Sequence, residues 1–406
     1  MVKETVVFRQ AFELQNPIQS YAWGSRTAIA GLLGRPTPSA APQAEMWMGA
    51  HPKAPSRIFV DGAWQPLDRL IARFPEEILG PGVAARFGPR LPYLFKVLAA
   101  AEPLSIQAHP NLAQAREGFA RENRAGIPID APVRNYRDDN PKPELICALS
   151  TFWAMNGFRS PGDIAVHLQS LCPVGLGETL TALAAAGPAA AIRRLFSSLM
   201  RLDENRRRAV VKEAVARAEK GVGEAAVCRW VTALGRRYPE DIGVLAPAFL
   251  NLVRLAPGEA MFLPAGRLHA YLEGTAVEIM ANSDNVLRGG LTAKHVDVPE
   301  LLRVLCFEGG NPGVMRLDGG PVGRFDTPAA EFSLWVLRID GPHPWFSGDA
   351  RRVEILLCTE GGGRLRVAGG RWVDFVRGTA ILVPAAAGAY RIEGQTVVHR
   401  AALPEI

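Results

Sequence analysis

Apolar residues fall along this chain in two textures. Up to about residue 155 they come in short runs, such as Leu91-Pro-Tyr-Leu-Phe-Lys-Val-Leu98 and Leu145-Ile-Cys-Ala-Leu149, punctuated by prolines and glycines. That punctuation predicts strands joined by long loops, with few helices. From about Ser160 to Leu252 the spacing turns helical, as in Ala209-Val-Val-Lys-Glu-Ala-Val-Ala-Arg-Ala-Glu-Lys220, which ends at Gly221. After Pro257 the strand texture returns and lasts to the C-terminus. The pattern predicts a mainly β protein: a first β domain over residues 1–158 and 255–312, a helical insert over 159–254, and a second β domain over 313–406.

An internal repeat supports two related β units. Gly258-Glu-Ala-Met-Phe-Leu-Pro264-Ala265 lies over Gly378-Thr-Ala-Ile-Leu-Val-Pro384-Ala385 at a constant offset of 120 residues. Glycine, an apolar run, then Pro-Ala is how a strand enters a tight turn and returns in a double-sheet barrel of the jelly-roll or cupin type. The returning strand of the first copy carries His269, whereas the second has Ala389 at that place. A metal is therefore expected in the first unit alone.

Three segments put polar side chains on one face of an extended chain. In Leu104-Ser-Ile-Gln-Ala-His109, alternation sets Ser105, Gln107 and His109 against Leu104, Ile106 and Ala108. In Asn140-Pro-Lys142-Pro-Glu144 the flanking prolines favour an extended form, so Lys142 and Glu144 project the same way. In Arg267-Leu-His269-Ala-Tyr271 the histidine and tyrosine align. Taken singly, each has a plainer reading as core hydrogen bonding or a surface ion pair. Together, Gln107, His109, Glu144 and His269 make a donor set suited to one zinc ion, which would polarise a carbonyl or hydroxyl oxygen. Two histidines and a carboxylate also describe a non-haem iron oxygenase, and that reading stays open here.

The stretch from Glu278 to Lys294 crowds acids, bases and glycines behind His269. Gly289-Gly290 is expected to let backbone approach a ligand, with Arg288 and Lys294 suited to a phosphate or a developing enediolate. Only seven of the 46 basic residues are lysine, and Lys96, Lys142 and Lys294 fall in or beside these segments. Lysine can change protonation near a metal, which arginine does not readily do, so these three are read as chosen for chemistry. His51 is expected to line the same cavity, and His167, His343 and His399 to be structural.

Composition narrows the classes. The chain has 406 residues, 48% hydrophobic and 21% charged, enough for two or three domains with real cores and unlike a disordered or fibrous protein. The net charge of +6 is spread out, and its densest run, Arg206 to Arg208, reads as a solvated helix face, so no nucleic-acid partner is expected. Cys147, Cys172, Cys228, Cys306 and Cys358 are odd in number with no CxxC pair, which points to a reducing, cytoplasmic setting. No signal-peptide block or membrane span is expected, since the longest small-residue apolar stretch, residues 182–192, is broken by Gly187-Pro188.

Two longer motifs carry a family resemblance. Tyr136-Arg-Asp138-Asp-Asn140-Pro-Lys142-Pro-Glu144 and His269-Ala-Tyr271-Leu-Glu-Gly-Thr-Ala-Val-Glu278-Ile-Met-Ala-Asn-Ser-Asp284-Asn-Val-Leu-Arg288-Gly-Gly-Leu-Thr-Ala-Lys294 resemble the signature motifs of type I mannose-6-phosphate isomerases. Asn16-Pro-Ile-Gln-Ser-Tyr-Ala-Trp23-Gly and Glu45-Met-Trp-Met-Gly-Ala-His51-Pro look like that family's opening blocks, and the similarity runs over roughly residues 10 to 310. The resemblance implies a cupin-like catalytic domain with an inserted helical domain, a second cupin-like domain, and zinc at the positions of Gln107, His109, Glu144 and His269. It also implies interconversion of mannose 6-phosphate and fructose 6-phosphate.

On that chemistry Arg288 is expected to stabilise the enediolate, and Lys96 and Ser105 to hold the phosphate. Asp284, slightly favoured, Glu278 or Lys142 would move the proton. Tyr271, Lys294 and Trp23 would position the sugar. The partner is then a small sugar phosphate, with the chain a monomer or weak homo-oligomer. A non-catalytic sugar-phosphate-binding regulator is the remaining rival.

Overall fold

The structure is a computed structural model that describes residues 8–177, 180, 187–348 and 352–404. Residues 1–7, and residues 182–186 of the small-residue apolar stretch, lie outside the described residues. Among the described residues no helix is long and apolar enough to cross a membrane.

The molecule is mostly β, with two large antiparallel sheets of 11 and 8 strands. The 13-residue strand His269–Ala281 organises the larger one. Its first residues pair with strands Ile106–Ala108 and Phe152–Phe158, and from Gly274 onward its partners are Tyr93–Ala100 and Glu144–Ala148. Gly274, at φ 126°, stands at the changeover, and a Cβ there would lie 2.6 Å from the Thr151 carbonyl oxygen. One continuous strand therefore serves two sets of neighbours, and Leu98, Ile146, Phe152, Met261, Leu263 and Tyr271 share a core between them.

Strands Phe152–Phe158 and Leu250–Leu255 are antiparallel neighbours, yet the chain between them is helical. Helices Pro161–Leu171, Pro188–Met200, Glu204–Glu219 and Ala225–Arg237 leave the sheet from one strand and return to the next. The arginine run heads the Glu204–Glu219 helix, where Arg208 pairs with Glu204 and Glu240 on the solvent side.

The few helices expected before residue 155 undercount the structure, which has short helices at Ala28–Leu32, Leu67–Arg73, Pro75–Leu79 and Pro81–Phe87 and one longer one. Leu112–Arg124 is a 13-residue helix, started by a reciprocal capping box between Asn111 and Gln114. It buries only Ala115, Gly118 and Glu122, so it lacks the apolar stripe that helical periodicity reveals.

The 120-residue repeat is a repeat of topology. Short strands Ala260–Leu263 and Ala380–Val383 are each followed by a 13-residue strand, His269–Ala281 and Tyr390–Ala402. Each short strand pairs with a strand that also pairs with the long one, Glu144–Ala148 in the first copy and Glu354–Val367 in the second. The register sets a glutamate opposite the end of each short strand, Glu144 against Leu263 and Glu354 against Val383. In the second copy Arg400 and the Tyr390 hydroxyl bind Glu354.

Between the sheets lies a shared core, with Val97, Leu145 and Val277 from one and Leu334, Ile355 and Leu357 from the other. His399 is buried at this junction, with Nδ1 3.1 Å from Thr359 Oγ1 and Nε2 4.0 Å from Cys147 Sγ. Burial, helped by the Arg338 charge, pushes its pKa down to about 4. An unfolded chain protonates histidine near pH 6.5, so between those values the unfolded state binds more protons and stability falls as pH falls. Denaturant melts should show about 2 kcal/mol lost from this residue between pH 7 and pH 5. His399→Gln should lose correspondingly less over that interval, and parallel pH profiles for the two proteins would refute the assignment.

Candidate metal centre

Backbone alternation and pairing bring the donor residues together. Ile106 and Ala108 are fully buried in the core shared with the helices, which turns Gln107 to the opposite side, into a cavity. Gln107 and His269 are cross-strand partners, so their side chains share a face. Glu144 starts a strand paired to Leu263 on one side and Met280 on the other. The cavity, about 350 Å³ including its mouth, is lined among others by Ser105, Gln107, Lys142, Glu144, His269 and Tyr271.

Among the described residues, His109, Glu144 and His269 form one group whose ligand atoms lie within 4.8 Å of one another. His109 Nε2 is 3.3 Å from Glu144 Oε1, and His269 Nε2 is 3.3 Å from Glu144 Oε2. Each Nδ1 faces a main-chain carbonyl oxygen, Asn285 at 2.7 Å and Arg267 at 2.9 Å. A carbonyl only accepts, so each Nδ1 donates, and each Nε2 is the ring nitrogen left to face Glu144 and an ion beside it.

Burial and the Lys142 charge push the His109 pKa down to about 4. Burial alone would raise the Glu144 pKa, but the Lys142 ammonium 2.8 Å away holds it well below the usual carboxylate range. A neutral imidazole and an ionised carboxylate are the forms that ligate a metal, so these residues fit a divalent ion such as zinc.

Behind this group runs a buried polar chain. Tyr271 donates its hydroxyl to Glu278 at 2.8 Å, and Lys96 is held by Glu278 at 3.0 Å and by Glu45 at 3.8 Å. Trp47 Nε1 donates to Glu45 at 2.6 Å. Burial raises the Glu278 pKa against the pull of Lys96. Burial would lower the Lys96 pKa, but Glu278 and Glu45 raise it, so this ammonium stays charged. Lys96 lines the cavity, as expected, with its charge already engaged by two carboxylates. Glu45 went unnoticed in the sequence, although Glu45 and Trp47 alternate with apolar residues on a short strand.

Other expected residues, Arg288 and Lys294 among them, do not line the cavity. Arg288 is the cross-strand partner of Gln107. Burial lowers its pKa, as does the Arg137 charge; Lys294 is lowered by burial and by both arginines. No carboxylate among the described residues pairs with any of these three cations. Asp284 faces His51 and Lys53, with Lys53 Nζ at 2.7 Å, and these partners outweigh burial to hold its carboxyl well below the usual range. Neither Asp284 nor Trp23 lines the cavity, and Trp23 stacks on Tyr21 and packs against the sheet core.

The role expected for Gly289-Gly290 needs correction. The close approach is made by the chain itself, because a Cβ on Gly290 (φ 137°) would lie 2.9 Å from Asp241 Oδ1 at the end of the helical block. Asn285 and Arg137 were also missed, since their partners are distant in sequence.

Residues 11–161 match the family model for the catalytic domain of phosphomannose isomerase type I. The chain is 43% identical over 361 residues to the mannose-6-phosphate isomerase of Salmonella typhimurium, covering 87% of this chain and 90% of that one. It is 42% identical over 362 residues, with the same coverage, to that of Escherichia coli. The solved structure of the Salmonella typhimurium enzyme bound to its substrate fructose 6-phosphate and zinc superposes with a TM-score of 0.88 at 38% identity, over 97% of this chain and 100% of that one. These relatives do not favour the oxygenase or the regulator. Two histidines with their Nε2 atoms turned to an ionised glutamate, in a chain so similar to these enzymes over most of its length, lead to one conclusion: it belongs to the type I phosphomannose isomerase family.

Proposed function

We propose that this chain interconverts mannose 6-phosphate and fructose 6-phosphate and uses one zinc ion held by His109, Glu144 and His269, with Gln107 as a fourth ligand. The observation that carries the reading is the convergence of three ligand atoms, from His109, Glu144 and His269, within 4.8 Å of one another, with Lys142 in the same cavity. The architecture we propose is a cupin-like catalytic domain (1–158 and 255–312), a helical domain inserted at 159–254, and a second cupin-like domain over 313–406. One chain supplies every group named, so it works as a monomer or in a weak homo-oligomer. The proposed setting is cytoplasmic.

When bound, the ion supplies Lewis acidity toward the carbonyl and hydroxyl oxygens of the open-chain sugar. The chain's own groups do the rest. The reaction removes the proton on C2 and delivers one to C1 through an enediolate, so it needs a proton carrier beside both carbons. Lys142 lines the cavity next to the ligands and takes that role as the free amine, after its ammonium proton has passed to solvent; it takes the proton from C2 and returns one to C1. Glu278 lines it from behind Tyr271, and the two orient the sugar hydroxyls. Asp284 is tied to Lys53 outside the cavity and shapes its entrance. Arg288, beside Gln107 with no carboxylate of its own, stabilises the enediolate charge. Because Glu278 and Glu45 engage Lys96, the phosphate falls instead to Lys294 and Arg137, with Ser105 donating from the cavity wall.

Chelation should abolish isomerase activity in a coupled assay on mannose 6-phosphate, and zinc should restore it. Oxygen uptake restored by iron, with no isomerase activity, would sink this function. Arg288→Ala should cut kcat by about 10²–10³-fold with zinc content unchanged, and a matching loss of zinc would move Arg288 into the metal's support. Lys142→Met should lower kcat by about 10²-fold or more, whereas Asp284→Asn costs far less. The reverse order would make Asp284 the proton carrier.

A further inference from the structure

We propose that Asn285 is a positioning residue for the metal, fixing the His109 ring and the 137–144 segment in one frame. This rests on the zinc reading above. Asn285 is 0% exposed and lies between strands His269–Ala281 and Leu287–Gly290. Its main-chain carbonyl accepts from His109 Nδ1 at 2.7 Å, the bond that turns Nε2 toward Glu144.

Its side chain reaches the other half of the centre. Oδ1 accepts the main-chain N–H groups of Arg137 at 2.7 Å and Asp138 at 3.2 Å. Nδ2 donates to the carbonyl oxygens of Asp138 at 2.8 Å and Asn140 at 3.0 Å. All four hydrogen-bonding positions of a primary amide are thereby met by the backbone that leads, through Pro141, into Lys142 and Glu144. Main chain of Asn285 holds one metal ligand, and its side chain holds the segment carrying another.

No other side chain meets these demands. Leucine would orphan buried N–H and C=O groups, each costly to leave unpaired. Aspartate has the shape, but only acceptors, and would face two carbonyl oxygens. Asp138 adds a second clasp, accepting from Ser283 Oγ and the Asp284 N–H at 2.8 Å each, without touching the His109 bond. Groups that orient a ligating imidazole commonly change metal affinity by 10–100-fold when removed. Coupling is reciprocal, so bound metal should in turn stiffen the stitched segment.

The test compares Asn285→Asp with the unsubstituted protein. Zinc affinity is measured by competition with a chromophoric chelator, and folding by circular dichroism of metal-free protein. The expected result is a folded variant binding zinc about 10–100-fold more weakly. In the unsubstituted protein, zinc should slow hydrogen exchange at the Arg137 and Asp138 amides, a measurement that decides the matter even if the variant does not fold. A folded variant with zinc affinity within about twofold of the original, or amide exchange that ignores zinc, overturns the positioning role. Zinc binding unaffected by His109→Ala would overturn the metal-centre reading itself, a result distinct from either outcome at Asn285.

Discussion

Glu144 is an ionised carboxylate 3% exposed to water, and the centre is organised around that fact. A buried charge is stable only when other charges and hydrogen bonds replace its hydration. The Lys142 ammonium lies 2.8 Å from it, and the Tyr271 hydroxyl stands 3.5 Å away. Counted with its neighbours, the buried set holds three carboxylates (Glu45, Glu144, Glu278) against two ammonium groups (Lys96, Lys142), one negative charge in excess. Either a proton on Glu278, whose pKa burial raises, or an added cation balances it. A divalent ion over-balances the set and leaves the cavity electropositive, which suits an anionic substrate and an anionic intermediate.

The strand His269–Ala281 is what lets so many charges share one place. It carries His269, Tyr271 and Glu278, pairs with the strands bearing Gln107, Glu144 and Lys96, and leads into the loop of Asp284 and Asn285. Neighbouring strands lie about 4.8 Å apart, so side chains on one face of adjacent strands fall within the reach of a single ion or its first partners. The helices contribute support, packing against Ile106 and Ala108 so that Gln107 has only the cavity side to occupy.

How much of this was legible follows from what alternation encodes. Period two fixes the face a side chain takes, so Gln107, His109 and His269 could be read together, and the prolines around Lys142 fixed its direction with Glu144. Alternation does not say which strand lies alongside. Lys96 and Glu278 are 182 residues apart and meet only through register, so a lysine that looked free for phosphate is engaged. Glycine announces a close approach without naming what approaches, hence the misreading at Gly290. The long-range texture of strands, helices and strands was readable because each block is many residues long. The Leu112–Arg124 helix escaped because its buried face is almost devoid of large apolar side chains.

The two copies of the repeat show why a metal centre needs more than a buried glutamate. Glu144 and Glu354 hold the same register position against their short strands, and both are almost fully buried. Glu354 is neutralised from within the chain by Arg400, which grips both its oxygens with Nε 2.8 Å from Oε2, while the Tyr390 hydroxyl donates to the same Oε2 at 2.5 Å. A guanidinium is permanently charged, covalently tethered and has no open coordination position, so that solution is closed to ligands. Around Glu144 the neighbours are instead imidazoles whose Nε2 atoms can share an ion with it, and an ammonium on a flexible stem. The same electrostatic problem thus has a structural answer in one sheet and a chemical answer in the other. What separates them is the identity of the cation the surroundings admit.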